Sequence, residues 1–315
     1  MLSEDGVRSE GPPALAPGAY LRSEEYNPCL DTILGRGSTS IIGRLRPHVV
    51  LKYPRFQWWN QQEGKAHKFA NSIRHSFKVE EEILGILGSH PRIIRFLGCS
   101  EDPRGLLFAE ASKGSLQAYL DHYNDKVNIH LRMAWRSEAG EAVQYLHSKG
   151  VIHSDLRPDN YLLNADNSLC LCDFGGSTCG AIDGGGLPDS GFFNPSIGWI
   201  STVGIDIFSL GSVYYFIMTG HWPYKLPGPF VSVAEKLEYG ERVDTLFSEG
   251  KFPIVDNLVA GAIIHGCWTV AYKDVGAMLL EQESLCKQVF ADVMNVQKDE
   301  TRFVFSKHPV TTIEN

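Results

Sequence analysis

The sequence has no surplus of basic charge: 29 Lys and Arg face 37 Asp and Glu, a formal net charge of −8. A nucleic-acid binder needs a basic face to neutralise phosphates, so that class is set aside. There is no long apolar run either. The longest, Ile207 to Thr219, is interrupted by Ser209 and Gly211. It falls short of the ~20 residues that cross a bilayer, so no membrane insertion is expected. The opening stretch, Met1 to Gly18, is acidic and rich in Pro and Gly. It lacks the basic start and apolar middle of a secretory leader. Cysteine is scarce and scattered: seven residues, an odd number, with no CxxC pair. The single-residue spacing of Cys170 and Cys172 is too tight for a metal knuckle and suits two positions on one face of a strand. Reduced thiols in a cytosolic or nuclear protein are expected. No internal repeat is present.

What remains is an ordinary globular composition, 43% apolar and 21% charged over 315 residues. Chains of this size usually divide into two cores. Residues 1–25, with Pro12, Pro13 and Pro17, are expected to form a flexible tail. Residues 26–110 read as strands interrupted by one helix, residues 111–290 as mostly helical, and residues 291–315 as a second, irregular tail. Charge divides along the same line. Up to Glu110 there are 14 Lys/Arg and 13 Asp/Glu; beyond it there are 15 and 24. An acidic second lobe would attract a basic protein substrate, although a merely solvated surface has the same count.

Residues with chemistry then appear in order. Leu34-Gly35-Arg36-Gly37-Ser38 opens a strand-like run through Ile42. Paired glycines let a hairpin lie close over phosphates, where a Cβ would intrude; a tight hairpin turn needs the same residues. Val49-Val50-Leu51-Lys52 follows as a strand with Lys52 on the face of Val50. From Ile73 to Leu87 an apolar helical stripe runs Ile73, Phe77, Leu84, Leu87 and is interrupted by Glu80. A carboxylate within a buried stripe needs a cation, and Lys52 is the candidate. Glu81 and Glu82 fall off the stripe and are expected to face water. The helix carrying Leu131, Trp135, Ala139, Ala142 and Leu146 should stop at Lys149-Gly150. It leads into His153-Ser154-Asp155-Leu156-Arg157-Pro158-Asp159-Asn160, and a strand over Leu169 to Cys172 ends at Asp173-Phe174-Gly175. Phosphoryl transfer requires a carboxylate to orient the attacking hydroxyl, hard oxygen ligands for magnesium, and cations to meet the phosphate charge. Asp155, Asn160 with Asp173, and Lys52 with Arg157 match those needs.

These motifs resemble the eukaryotic protein kinase superfamily from about Leu34 to Leu285. The resemblance implies an α+β fold of two lobes: a small antiparallel sheet with one helix, and a larger helical lobe. It implies ATP with Mg2+ as cofactors, Asp155, Arg157 and Lys52 as catalytic residues, and Asn160 and Asp173 as metal ligands. The nucleotide would lie against Gly35, Arg36, Gly37, Ser38, Ile42, Val50, Lys52, Glu80 and Ala109, then the interlobe hinge from Glu110 through Ser112, with Asn160, Leu162 and Asp173 below. Stacked side chains linking the lobes would be Leu84, Phe96, His153 and Phe174, anchored by Asp206 at the start of a buried helix. Ala109 would stand at the back of the adenine pocket and leave space behind it; a slip of one residue would put Phe108 there. Cys267-Trp268 is similar to a late Cys-Trp pair of many kinases.

Several positions depart from the pattern. Ser40 replaces the third glycine of the loop, Ser154 an arginine, and Arg157 the lysine of Ser/Thr kinases. Asn194-Pro195-Ser196 replaces Ala-Pro-Glu, and Asp189-Ser190 stand where a threonine is usual. The glutamate's arginine partner is missing as well. Without the arginine at 154, phosphorylation of Ser177, Thr178, Ser190 or Ser196 is expected to be dispensable. The loop sequence favours a serine/threonine substrate. Two other readings stay open: a nucleotide-binding pseudokinase, and a small-molecule kinase of the aminoglycoside or choline type.

Overall fold

A computed structural model describes residues 7–8, 30, 32–54, 63–101, 104–198 and 200–285. Most of the expected N-terminal tail and all of 291–315 lie outside the described residues.

The smaller lobe is an antiparallel sheet. Its strands are β1 (Val7–Arg8), β2 (Thr32–Arg36), β3 (Ser40–Arg46), β4 (Val49–Pro54), β5 (Phe96–Glu101) and β6 (Arg104–Ala109). They lie in the order β1-β5-β6-β4-β3-β2. Val7–Arg8, within the expected tail, adds a short edge by pairing with Ser100 and Cys99. Helix α1 (Glu63–Leu87) connects β4 to β5 and lays its stripe on one sheet face. Ile73, Phe77, Leu84 and Leu87 are buried, and so are Val79 and Ile83, which the four-residue stripe did not include. Strand alternation divides β6. Leu106 and Phe108 join the main core with α1, while Leu107 joins Leu51 and Tyr53 in a separate cluster. Glu81 departs from expectation. It is half-buried and accepts a hydrogen bond from the Cys99 thiol at 3.2 Å.

The larger lobe is mainly helical: α2 (Leu116–Tyr123), α3 (Ile129–Ser148), α4 (Val203–Thr219), α5 (Val233–Ser248), α6 (Gly261–Trp268) and α7 (275–285). Short hairpins carry the functional loops: β7 (Tyr161–Leu163) pairs with β8 (Leu169–Leu171), and β9 (Thr178–Cys179) with β10 (Ile182–Asp183). Asn128 caps α3 by accepting from the Leu131 N–H at 2.9 Å, so the helix starts there. It ends at Gly150, whose φ of 74° is left-handed and suits a residue without Cβ. Helix α4 is buried from Asp206 through Ile217 and closes on Gly220 in the left-handed region. It is therefore the axis on which the loop 153–160 is built.

The larger lobe's core runs through α3, α4 and α6, with Trp135, Phe208, Phe216 and Trp268 all buried. It is continuous with the α1 face of the sheet in one cluster, so the two lobes share apolar contacts beneath the cleft. His153 and Phe174 are fully buried with ring centroids 5.2 Å apart, in that shared region.

Candidate active site

The site is assembled from both lobes. On the sheet side the glycine-rich turn is closed by the Gly37 N–H donating to the Ser40 carbonyl at 2.8 Å. Gly35 and Ile42 pair across it. Lys52 extends from β4 into the cleft, and its Nζ lies 2.6 Å from Glu80 Oε2 and 2.7 Å from Asp173 Oδ1. Glu80 is 1% exposed, so without this cation its charge would be stranded. Burial alone would lower the Lys52 ammonium, but Asp173 and Glu80 prevail and hold it well above its ordinary range. The interrupted stripe of α1 thus has the partner that its sequence demanded.

On the helical side Asp206 organises the loop 153–160, the catalytic loop of the family pattern. Its carboxylate is fully buried and accepts from the backbone N–H groups of His153 at 2.8 Å and Ser154 at 2.9 Å. His147 Nε2 is 2.9 Å away. These bonds hold Ser154 at φ 66°, a left-handed conformation that a serine adopts only under constraint. Asp173 is held similarly, at φ 67°. The Ser154 hydroxyl meets Ser201 at 2.6 Å, a neutral contact where the family pattern has an arginine.

Asp155 and Asn160 come together as expected. Asn160 Nδ2 donates to the Asp155 carbonyl at 2.8 Å and lies 3.4 Å from its carboxylate. The Asn160 amide is oriented by this bond, and its backbone carbonyl accepts from the Cys172 N–H at 2.9 Å, tying the loop to Asp173. Burial pushes the Asp155 carboxyl up to about 7, with Asp173 and Asp189 adding to the shift and Arg157 opposing it. Lys52 holds Asp173 below the usual carboxylate range. The two carboxyls are thus displaced in opposite directions, Asp155 above the ordinary carboxylate range and Asp173 below it.

Between the lobes lies a cleft of about 400 Å³, within the ~300–1,000 Å³ typical of small-ligand sites. Gly35, Gly37, Ile42, Val50, Lys52, Glu80, Ala109, Glu110, Asn160, Leu162 and Asp173 line it. Arg36, Ser38 and Ser112 do not, and Arg157 lines an adjoining groove instead. The cleft also takes in Ala111 of the expected hinge, and Leu34, Ile94, Phe108, Asp159 and Cys172, none of which was among the expected nucleotide contacts.

The expected space behind Ala109 is absent. Phe108 is the residue that faces inward, buried with its ring 5.7 Å from Phe96. The hinge therefore runs over Ala109, Glu110 and Ala111, one residue earlier than expected. The Glu110 N–H donates to the His48 carbonyl at 3.0 Å, and its side chain turns to Arg44, with Nε 3.0 Å from Oε2. The inward face of β6 could have been read by counting back from Leu106, but only once the strand's buried side is known.

The segment from Asp173 to Ser196, which corresponds to the activation segment of the family pattern, is tied down without the missing ion pair. Ser190 donates to Asp244 at 3.0 Å, and Ser196 to the Ser248 carbonyl at 3.1 Å. Ser177 is fully buried and donates to the His153 carbonyl at 3.2 Å. His75 of α1 meets the Asp183 carbonyl at 2.7 Å.

The protein kinase domain model matches residues 60–237, more than half of the chain. The chain belongs to the protein kinase family. The match begins beyond Lys52, so the roles of the glycine-rich hairpin and Lys52 rest on the geometry described above. Aurora kinase B of Danio rerio is 28% identical over 213 residues, covering 62% of this chain and 62% of that protein. The serine/threonine/tyrosine-protein kinase HT1 of Arabidopsis thaliana is 30% identical over 183 residues, covering 53% and 45%. The mitogen-activated protein kinase kinase kinase dlk-1 of Caenorhabditis elegans is 31% identical over 146 residues, covering 43% and 15%. The chain spans less than two thirds of the length of the curated relatives it matches.

Proposed function

We propose that this kinase domain transfers the γ-phosphoryl group of ATP to a serine or threonine hydroxyl of a protein. The observation that carries the reading is Lys52, bound at once to Glu80 and to Asp173 in the cleft that also holds Asn160. This joins the two lobes in the arrangement that phosphoryl transfer requires. Asp155 orients the acceptor hydroxyl and takes its proton. Lys52 and Arg157 meet the negative charge on the phosphates.

Magnesium fits the donors present. Asn160 commits its amide nitrogen to Asp155 and keeps an oxygen for the cleft, and Asp173 is half-exposed there. Both are hard oxygen ligands. Among the described residues no group of three or more His, Cys, Asp or Glu could hold a metal. The ion would therefore rely on nucleotide oxygens and water to complete its shell, and when bound it neutralises phosphate charge.

The adjoining groove, lined by Asp121, Arg157, Asp159, Trp222, Phe230 and Lys236, is our candidate seat for the protein substrate. Asp121 and Asp159 there are offset by Arg157, Lys225 and Lys236, so the preference for a basic segment rests on the acidic balance of the larger lobe as a whole. The serine/threonine preference rests on the Arg157-Pro158-Asp159-Asn160 pattern and on the names of similar kinases. The described cysteines are all free thiols, in keeping with a cytosolic or nuclear location.

The test is transfer from labelled ATP with Mg2+ to a basic protein substrate, beside an Asp155→Asn control and a panel of small alcohols. Labelled phosphoserine or phosphothreonine is expected from the parent alone. Nucleotide binding with no transfer would make the domain a pseudokinase, and transfer to the alcohols alone would make it a small-molecule kinase.

A further inference from the structure

Arg157 enters the site from the catalytic loop, and its guanidinium has three edges. Nη1 donates to Asp189 Oδ2 at 2.6 Å. Nε lies 3.9 Å from Asp155 Oδ2. Nη2 meets no acceptor among the described residues. Asp189 comes from the activation segment, 32 positions further along the chain. It is itself held from a third element: Lys236 of α5 reaches both of its oxygens at 3.1 Å. The Asp189 carbonyl accepts from the Phe192 N–H at 2.9 Å, which seats the residue in a turn. Burial acts to raise the Asp189 carboxyl, but Arg157 and Lys236 outweigh it and keep it ionised.

We propose that Asp189 is a positioning residue for the transfer step, and that Asp189 and Arg157 form a matched pair. The carboxylate grips one edge of the guanidinium and leaves Nη2 for the transferred phosphate. A planar fork can serve both partners from separate edges, whereas a lysine at 157 would offer one compact charge to be shared between them. An aspartate facing that lysine would compete with phosphate for it. A threonine facing Arg157 would leave the guanidinium free to turn onto Asp155, 3.9 Å away. Either single change to the residue usual in Ser/Thr kinases therefore disturbs the site, and the two together restore a consistent one. This proposal rests on the kinase reading above.

The experiment compares the parent with Asp189→Thr, Arg157→Lys and the double variant, measuring kcat, KM for ATP and melting temperature. Each single variant should lose roughly tenfold or more in kcat, because the lost contact acts at the transferred group, with KM for ATP changed by at most about threefold. The double variant should recover most of that loss, the mark of two residues acting as a unit. Asp189→Asn, which keeps the shape and one acceptor oxygen, should fall between the parent and Asp189→Thr even if the threonine variant folds poorly. An active parent whose single variants keep full kcat, or whose double variant is no better than the worse single, would overturn the pairing alone. A change in melting temperature with kcat unaltered would reduce Asp189 to a structural tie and overturn it as well. No transfer by the parent would overturn the kinase reading and this proposal with it.

Discussion

Replacing Lys52 by methionine should damage the fold as well as the chemistry, and the damage should be curable. Lys52→Met removes the cation 2.6 Å from Glu80, a carboxylate 1% exposed inside α1. Leaving one partner of a buried pair uncompensated costs about 3–5 kcal/mol. At ~2–4 °C per kcal/mol for a domain of this size, the melting temperature should fall by roughly 6–20 °C. The double variant Lys52→Met/Glu80→Gln removes the stranded charge with little change in shape, so it should melt above Lys52→Met while staying as inactive. The pH dependence has a definite sign. With no cation beside it, Glu80 has a folded-state pKa above its unfolded value. Its penalty is then small at low pH and grows as pH rises through that folded value. The gap between Lys52→Met and the parent should narrow as the pH is lowered from 8 to 5. Thermal melts of the nucleotide-free proteins across that range provide the assay. Identical melting of the single and double variants at every pH would refute the claim that Lys52 is what compensates Glu80.

Three further outcomes follow from the site. Because Asp155 must be ionised to accept a proton and is pushed up to about 7, kcat/KM should rise with pH through that region and level off above it; a flat profile between pH 5.5 and 8 would remove Asp155 as the base. Because Phe108 lines the interlobe cleft and packs into the core with α1, purine analogues with a bulky aromatic group should fail to displace ATP from the parent and should bind Phe108→Gly, with a gain of at least about tenfold for the buried ring; tight binding to the parent would restore Ala109 to that position. Because contacts that need no phosphate already hold the segment from Asp173 to Ser196, replacing Ser177, Thr178 and Ser190 together by alanine should leave kcat within a few-fold at a temperature where the protein is folded, each lost hydrogen bond costing ~1 kcal/mol of stability; loss of transfer by the folded variant would show that a phosphate there is needed.

The amino-acid sequence was enough to single out residues that the fold brings together around one cleft. Asp155, Asn160 and Asp173 sit at spacings that phosphoryl transfer makes recognisable, and Glu80 stood out because a carboxylate broke an apolar stripe. The helix end at Gly150 was legible because a left-handed residue without Cβ leaves a local mark. What was lost is long-range. The face of β6 that meets α1, and hence the choice of Phe108 over Ala109, depends on which of two apolar clusters each residue joins. Strand alternation alone cannot make that choice, because both faces of this strand are apolar. The Arg44–Glu110 pair, which ties down the hinge side chain, bridges 66 positions, and Arg157–Asp189 bridges 32. Charges at such separations leave no periodic signal, since any of the many oppositely charged residues could have been the partner. Only packing of the loop, the activation segment and α5 against one another selects Asp189 as the residue that holds Arg157, because burial leaves that guanidinium few acceptors within reach.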